Sequence, residues 1–371
     1  MRNLSHVRNF SKGHGGQGDG SHLSLHHAPA RETMTRMPDS TPGSSFSRSR
    51  LLAAALFYII LLTTFWLVAR HFSLSTRLGH MPSTFLAFAL ILGPYWFFGF
   101  GLAGFLRGLL THRAARVLAP GLCLLPYLIY SLPRGEFRWP FLFVFFFLPV
   151  GVSALLESLA TVEAPRSIRG LCWQDAAALA LLGLPVEFHW LEGSFPHPGL
   201  TSLPKLLLVD SALYAFLVVR RTQDVGYDFR PRARDLLTGI RELFFFAPVV
   251  ITLGLALGFI TPHGGLPSST TIFSALVITF FFVAIPEELF FRGLLENLLE
   301  ARLGRTGALL TSAIAFGLSH FNKPLPFNWR YVLLATIAGV FYGRAWRDGR
   351  RLLASATTHT LVDVLWALWF R

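Results

Sequence analysis

From residue 51 onward the chain runs as long apolar stretches separated by short polar breaks rich in arginine. A helix needs about twenty apolar residues to cross a hydrocarbon core. The stretches near 51–69, 83–106, 117–132, 140–160, 204–219, 242–260, 271–299, 307–321, 330–346 and 353–370 each predict a span on that measure. A weaker stretch at 173–190 is interrupted by Asp175, Pro185 and Glu187. The pattern predicts an all-α fold, a polytopic transmembrane bundle of ten or eleven helices. No internal repeat is visible, so a transporter built from two similar halves gains no support.

Residues 1–50 lack this pattern. They are rich in Ser, Gly, His, Pro and Arg, and read as a disordered cytosolic tail with no signal-type apolar core. Its histidines (His6, His14, His22, His26 and His27) read as part of a solvated low-complexity segment. The longest polar break among the spans, from Arg220 to Arg241, divides the remainder. It predicts N-terminal transmembrane helices over 51–235, whose role stays open, and a C-terminal domain over 236–371.

Composition agrees with a membrane protein. Of 371 residues 53% are apolar and 14% charged, and the mean hydropathy is +0.50. The 36 Phe and 9 Trp suit lipid contact and interfacial anchoring. The net charge of +13 raises a nucleic-acid reading, but the basic residues fall in short loops between spans, where they set topology. No nucleic-acid partner is expected. Arg107, Arg113 and Arg116, then Arg166 and Arg169, then the group from Arg220 to Arg234, then Arg302 and Arg305, then Arg344 to Arg351 fall on alternate loops. The positive-inside rule places these in the cytosol with the N-terminus, and the C-terminus on the opposite side, in what reads as a bacterial inner membrane. The two cysteines, Cys123 and Cys172, have no metal-type spacing and read as packing residues.

Against this background a few ionisable groups sit at membrane depth, where they are costly and point to function. Glu287, Glu288 and Arg292 follow sixteen uncharged residues, Thr271 to Pro286. His320 lies inside a later apolar helix, and His359 and Asp363 lie four apart inside the last one. A hairpin turning near Leu303 and Gly304 puts Glu287 and His320 at equal depth, roughly 20–25 Å from the turn at 1.5 Å per residue. Glu288 and Arg292 share a helix face, which predicts an orienting, structural pair. Glu287 points about 100° away and is left free as a general base. Pro286 removes a helical hydrogen bond just before the pair.

The three motifs in order, Glu287-Glu288-x-x-x-Arg292, Phe316-x-x-x-His320 and His359-x-x-x-Asp363, resemble those of the CPBP family of intramembrane glutamic proteases, which includes the eukaryotic CAAX prenyl endopeptidases. The resemblance covers about 271–370 and includes the phrases F-F-R-G-L-L and A-T-I-A-G-V-F-Y-G. It implies a metal-independent peptidase without cofactor that acts on a membrane protein or lipidated peptide. In it the residues matching Glu287 and His320 activate a water, and those matching His359 and Asp363 lie near the developing oxyanion. The family's third motif commonly ends in Asn. An ionised Asp363 cannot donate to an oxyanion, so it either stays protonated or orients His359.

Two rival readings remain at the level of the residues. Two histidines with carboxylates also make a common metal-ligand set, although the chain lacks H-E-x-x-H, and activity surviving complete metal removal sinks that reading. A non-catalytic scaffold, immunity or transport protein would use the same charges for helix association or proton relay.

Overall fold

In the computed structural model of the chain, described over residues 48–71, 80–161, 170–197, 200–323 and 327–370, the described residues are mostly helical and form no sheet. Most of the expected N-terminal tail, with its histidines, lies outside the described residues, as do Arg166 and Arg169 of the expected loops.

The N-terminal helices are α1 (Arg48–His71), α2 (Met81–Phe98), α3 (Leu102–Leu109), α4 (Arg113–Leu118), α5 (Leu124–Ser131), α6 (Trp139–Glu157), α7 (Trp173–Glu187) and α8 (Leu203–Leu213). The helix α8 continues as π-helix through Tyr214–Val219. Then come α9 (Ala233–Ala256), α10 (Ser269–Thr279), the single turn α11 (Ile285–Glu288), α12 (Asn297–Leu318), α13 (Trp329–Arg347) and α14 (Leu352–Trp369).

Five helical stretches of the described residues are long and apolar enough to cross a membrane: Met81–Phe98, Arg113–Arg134, Trp139–Glu157, Ala233–Ala256 and Ser269–Leu318. That is fewer than the sequence pattern predicts, for identifiable reasons. The stretch Ser269–Leu318 contains two passes, because Gly304 at φ 66° and ψ 175° leaves the helix there. Ser312 on the return pass donates to the carbonyl of Phe291 on the outgoing one at 2.7 Å, so the two passes lie side by side. The helices α13 and α14 are 19 and 18 residues long, but α13 carries arginines and α14 carries Ser, Thr, His and Asp, and much of each is buried against protein. A helix buried in a bundle need not be apolar all round.

The C-terminal bundle packs α12 and α14 against α13, with α9 against α13 and α14. Small residues let α12 and α13 approach closely. A Cβ on Gly317 would lie 1.9 Å from Thr336 Oγ1, and one on Gly339 would lie 2.9 Å from Ala313 Cα. Close approach of this kind is what holds helices together where lipid gives no hydrophobic drive. Gly339→Leu is accordingly expected to force α12 and α13 apart and to destabilise the protein by at least ~1–3 kcal/mol. Thermal unfolding in detergent measures the loss.

The arginine-rich connections gather at one end of this bundle. Arg347 bonds Glu296 at 2.6 Å, Arg350 bonds Glu300 at 2.5 Å, and Arg351 bonds Asp235 at 2.7 Å and Asp228 at 3.1 Å. Asp348 accepts from Arg234, from Thr238 at 3.0 Å and from Arg241 at 3.1 Å. Burial raises the Asp348 pKa, and the hydrogen bonds from Arg234 and Thr238 with the charges of Arg234 and Arg241 lower it by more, so the carboxyl sits below its ordinary value. A depressed carboxylate stabilises above its ordinary range, and that contribution is lost as pH falls through the lowered value.

The 221–232 connection is pinned into the same end. Gly226, at φ 78°, brings its backbone so near the carbonyl of Arg350 that a Cβ would lie 2.4 Å from it. Leu352 N–H donates to Gly226 O at 3.1 Å and the Trp346 indole donates to Val225 O at 3.2 Å. On the other side Phe229 N–H donates to Gly99 O at 3.0 Å, and the Tyr227 hydroxyl donates to Tyr95 O at 2.9 Å.

Candidate active site

The first motif lies on a helix that is wound unevenly. Phe280–Ala284 and Leu289–Glu296 are π-helical, and the α-helical turn Ile285–Glu288 carrying both glutamates sits between them. Insertions of this kind are rare and concentrate at functional sites, because they rotate the side chains that follow. Here Glu288 is turned fully into protein, at 0% exposure, while the Glu287 side chain keeps 32% exposure.

Glu288 is held from several directions. Arg292 Nη1 bonds its Oε1 at 3.1 Å, the Ser355 hydroxyl bonds its Oε2, and His359 Nδ1 lies 2.8 Å from its Oε1. Arg292 is itself fully buried; it donates to Gly339 O at 3.0 Å, and its guanidinium lies 4.6 Å from the centre of the Phe316 ring. A buried charge is tolerable when paired and hydrogen-bonded in this way. The expected pairing of Glu288 with Arg292 is therefore present, and the carboxylate also holds His359, a contact that spacing within one helix does not reveal.

His359 is 2% exposed and stacks on Tyr342, with ring centres 4.5 Å apart. Because Nδ1 faces the Glu288 carboxylate it is the donor there, which directs Nε2 toward the two more exposed acids. Nε2 lies 3.4 Å from Asp363 and 3.8 Å from Glu287.

His320 stands where α12 ends, 8% exposed. Its Nδ1 lies 2.9 Å from Phe316 O, a carbonyl that can only accept, so Nδ1 carries a proton. In the neutral ring Nε2 is then left with a free lone pair. Tyr331 meets the His320 ring edge-on at 4.6 Å, and Phe316 lies against both histidines, at 4.8 Å from His320 and 5.6 Å from His359.

One cavity of about 300 Å³ is lined by Glu287, His320, His359 and Asp363 together. The remaining wall is largely apolar, with Phe246 and Val250 of α9, Val283 of the first π-helical segment and Trp366 of α14. Lys205 of α8 and Lys323 beyond α12 also line it. So the four residues singled out for chemistry meet in one space, while Glu288 and Arg292 lie in the protein behind it. Among the described residues no group of three or more His, Cys, Asp or Glu is arranged to hold a metal ion.

Residues 269–365 match the family model described as Rce1-like, type II CAAX prenyl endopeptidase Rce1-like. Over these residues the C-terminal region is similar to the Rce1-like family. The matched residues include all three motifs and run from the start of α10 into α14. Neither the curated proteins nor the solved structures gave a match to the chain. With its membrane-length apolar helices, the chain is a multi-pass membrane protein whose C-terminal region is similar to the Rce1-like CAAX prenyl endopeptidases.

Three residues at this site escaped the sequence reading: Ser355, Tyr331 and Tyr342. A signal existed for Ser355. It stands four residues before His359, as His359 stands four before Asp363, so the three form one stripe along α14. The two tyrosines come from α13, whose apolar face gives no sign of which rings meet the histidines.

Proposed function

We propose that the protein is a glutamic-type intramembrane endopeptidase that hydrolyses a peptide bond of a membrane-associated or lipidated protein without a metal. The observation that carries the reading is the convergence of Glu287, His320, His359 and Asp363 on a single, largely apolar cavity. In this reading the Glu287 carboxylate takes a proton from a water, and the resulting hydroxide attacks the scissile carbonyl. His320 Nε2, with its free lone pair, orients the same water and shares its proton. The proton then passes to the departing amine. An apolar cavity suits the step, because carboxylate and imidazole act on the held water without competition from bulk solvent.

His359 faces the oxyanion in this scheme as the imidazolium, its Nδ1–H bonded to Glu288 and its Nε2–H thereby directed at the cavity. Asp363, 3.4 Å from Nε2, supports the orienting role over direct donation to the oxyanion. The need for an acceptor at this position is tested by mutation. Asp363→Asn keeps an oxygen that accepts from His359 and is expected to retain activity within about tenfold, whereas Asp363→Leu removes the acceptor and is expected to lose about a hundredfold or more. Equal loss in both variants contradicts the orienting role. We place the arginine-rich end of the bundle in the cytosol, by the positive-inside rule. The substrate belongs to the class of membrane-held proteins, and its recognition lies with the apolar cavity wall.

A further inference from the structure

The uneven winding before the glutamates leaves one backbone carbonyl without a helical donor. In an α-helix the carbonyl of Phe281 would accept from Ile285 N–H, and in a π-helix from residue 286. Ile285 N–H instead bonds Phe280 O, and residue 286 is proline, which has no N–H. Both possible partners are therefore gone. An orphaned carbonyl in the interior of a membrane protein is strongly unfavourable unless something replaces the donor.

The replacement comes from the N-terminal helices. The Tyr95 hydroxyl, on α2, donates to Phe281 O at 2.8 Å. Tyr95 is 2% exposed, so this bond is shielded from water. It is fixed in turn by Tyr227, which donates to Tyr95 O at 2.9 Å, and by edge-on contact with the Phe229 ring at 5.6 Å. Ala284, Ile285 and Leu289 pack into the same hydrophobic core as the α2 residues Ile91 and Phe98. Glu287 follows Pro286 directly.

We propose that Tyr95 is a positioning residue for Glu287: its hydroxyl supplies the hydrogen bond that Pro286 removes, and so holds the π-helical turn from which the glutamate is presented. The consequence for the reaction rests on the proposed function. It also gives the N-terminal helices, outside the Rce1-like match, a part in forming the site.

The test is a mutant cycle on the full-length protein in detergent, read by hydrogen–deuterium exchange of the peptide spanning 280–290. Tyr95→Phe removes only the hydroxyl, and is expected to raise exchange in that peptide about tenfold, the scale of one buried hydrogen bond. Pro286→Ala restores an N–H to the helix, so in that background the same Tyr95→Phe change is expected to alter exchange less than about twofold. Tyr214→Phe, which removes another hydroxyl bond of this bundle, to Arg116 O, serves as the control and is expected to leave the peptide unchanged. Exchange in 280–290 that is unaltered by Tyr95→Phe, or that rises equally with and without Pro286, overturns the proposal. A second readout uses a substrate cut by the wild type and spared by Glu287→Gln. There Tyr95→Phe is expected to lower kcat about tenfold with KM unchanged, and restoration of kcat by Pro286→Ala in the double variant is the response a merely structural role would not give. If no protein is cut in a Glu287-dependent way, the proposed function fails, while the exchange cycle still decides the role of Tyr95.

Discussion

Glu287→Gln is expected to insert and fold normally while losing cleavage by about 10³-fold, the middle of the range for removal of a general base. The two halves of this expectation have separate causes. The Glu287 side chain is 32% exposed to the cavity, and its ion-pair distance to His359 is a loose 3.8 Å, so an amide of the same shape leaves no buried charge unpaired. What it removes is the capacity to accept a proton from water. A variant that keeps its abundance and thermal transition yet does not cut separates chemistry from folding. The neighbouring glutamate gives the contrast. Glu288→Gln disturbs Arg292, Ser355 and His359 together, so it is expected to lower stability as well as activity.

Arg292→Ala is expected to remove most of the protein from the membrane. The substitution withdraws the ion pair to Glu288 and the hydrogen bond to Gly339 O, and leaves Glu288 charged and fully buried. Stranding one partner of a buried pair costs ~3–5 kcal/mol. Against a total stability of ~5–15 kcal/mol that is a large share. Immunoblotting of membranes and a thermal shift in detergent both read the effect. Arg292→Lys is expected to rescue it only in part, because a point charge cannot serve Glu288 and the Gly339 carbonyl as the planar guanidinium does. Removing both charges, as in the pair Glu288→Gln with Arg292→Met, is expected to be milder for folding than Arg292→Ala alone.

Much of the framework was legible because membrane helices declare themselves by length and composition. The hairpin turn at Gly304 followed from a break between two apolar runs, and counting from it placed Glu287 and His320 at one level; the structure has both lining the same cavity. Pairing four residues apart gave Glu288 with Arg292, and His359 with Asp363. The contact between Glu288 and His359 was not legible, since it joins residues 71 apart through the packing of two helices. Nor was the role of Tyr95. Pro286 announces a missing N–H, but which carbonyl is orphaned depends on the winding, and what replaces the donor depends on a tyrosine 186 residues from Phe281. The polar faces of α13 and α14 explain why a count of apolar stretches and a count of membrane-length apolar helices differ. In α14 the polar side chains Ser355, Thr358, His359 and Thr360 are buried in protein, where the bilayer no longer sets composition.

The central claim is that Glu287 acts as the base for hydrolysis of a membrane-held protein. It is tested most directly by quantifying C-terminal and membrane-anchor peptides in membranes of cells carrying either the wild type or Glu287→Gln at equal abundance. The account predicts that at least one membrane-associated protein accumulates uncut, and its shortened product disappears, in the variant alone. Identical peptide profiles in the two strains, with the wild-type protein present and folded, would contradict it.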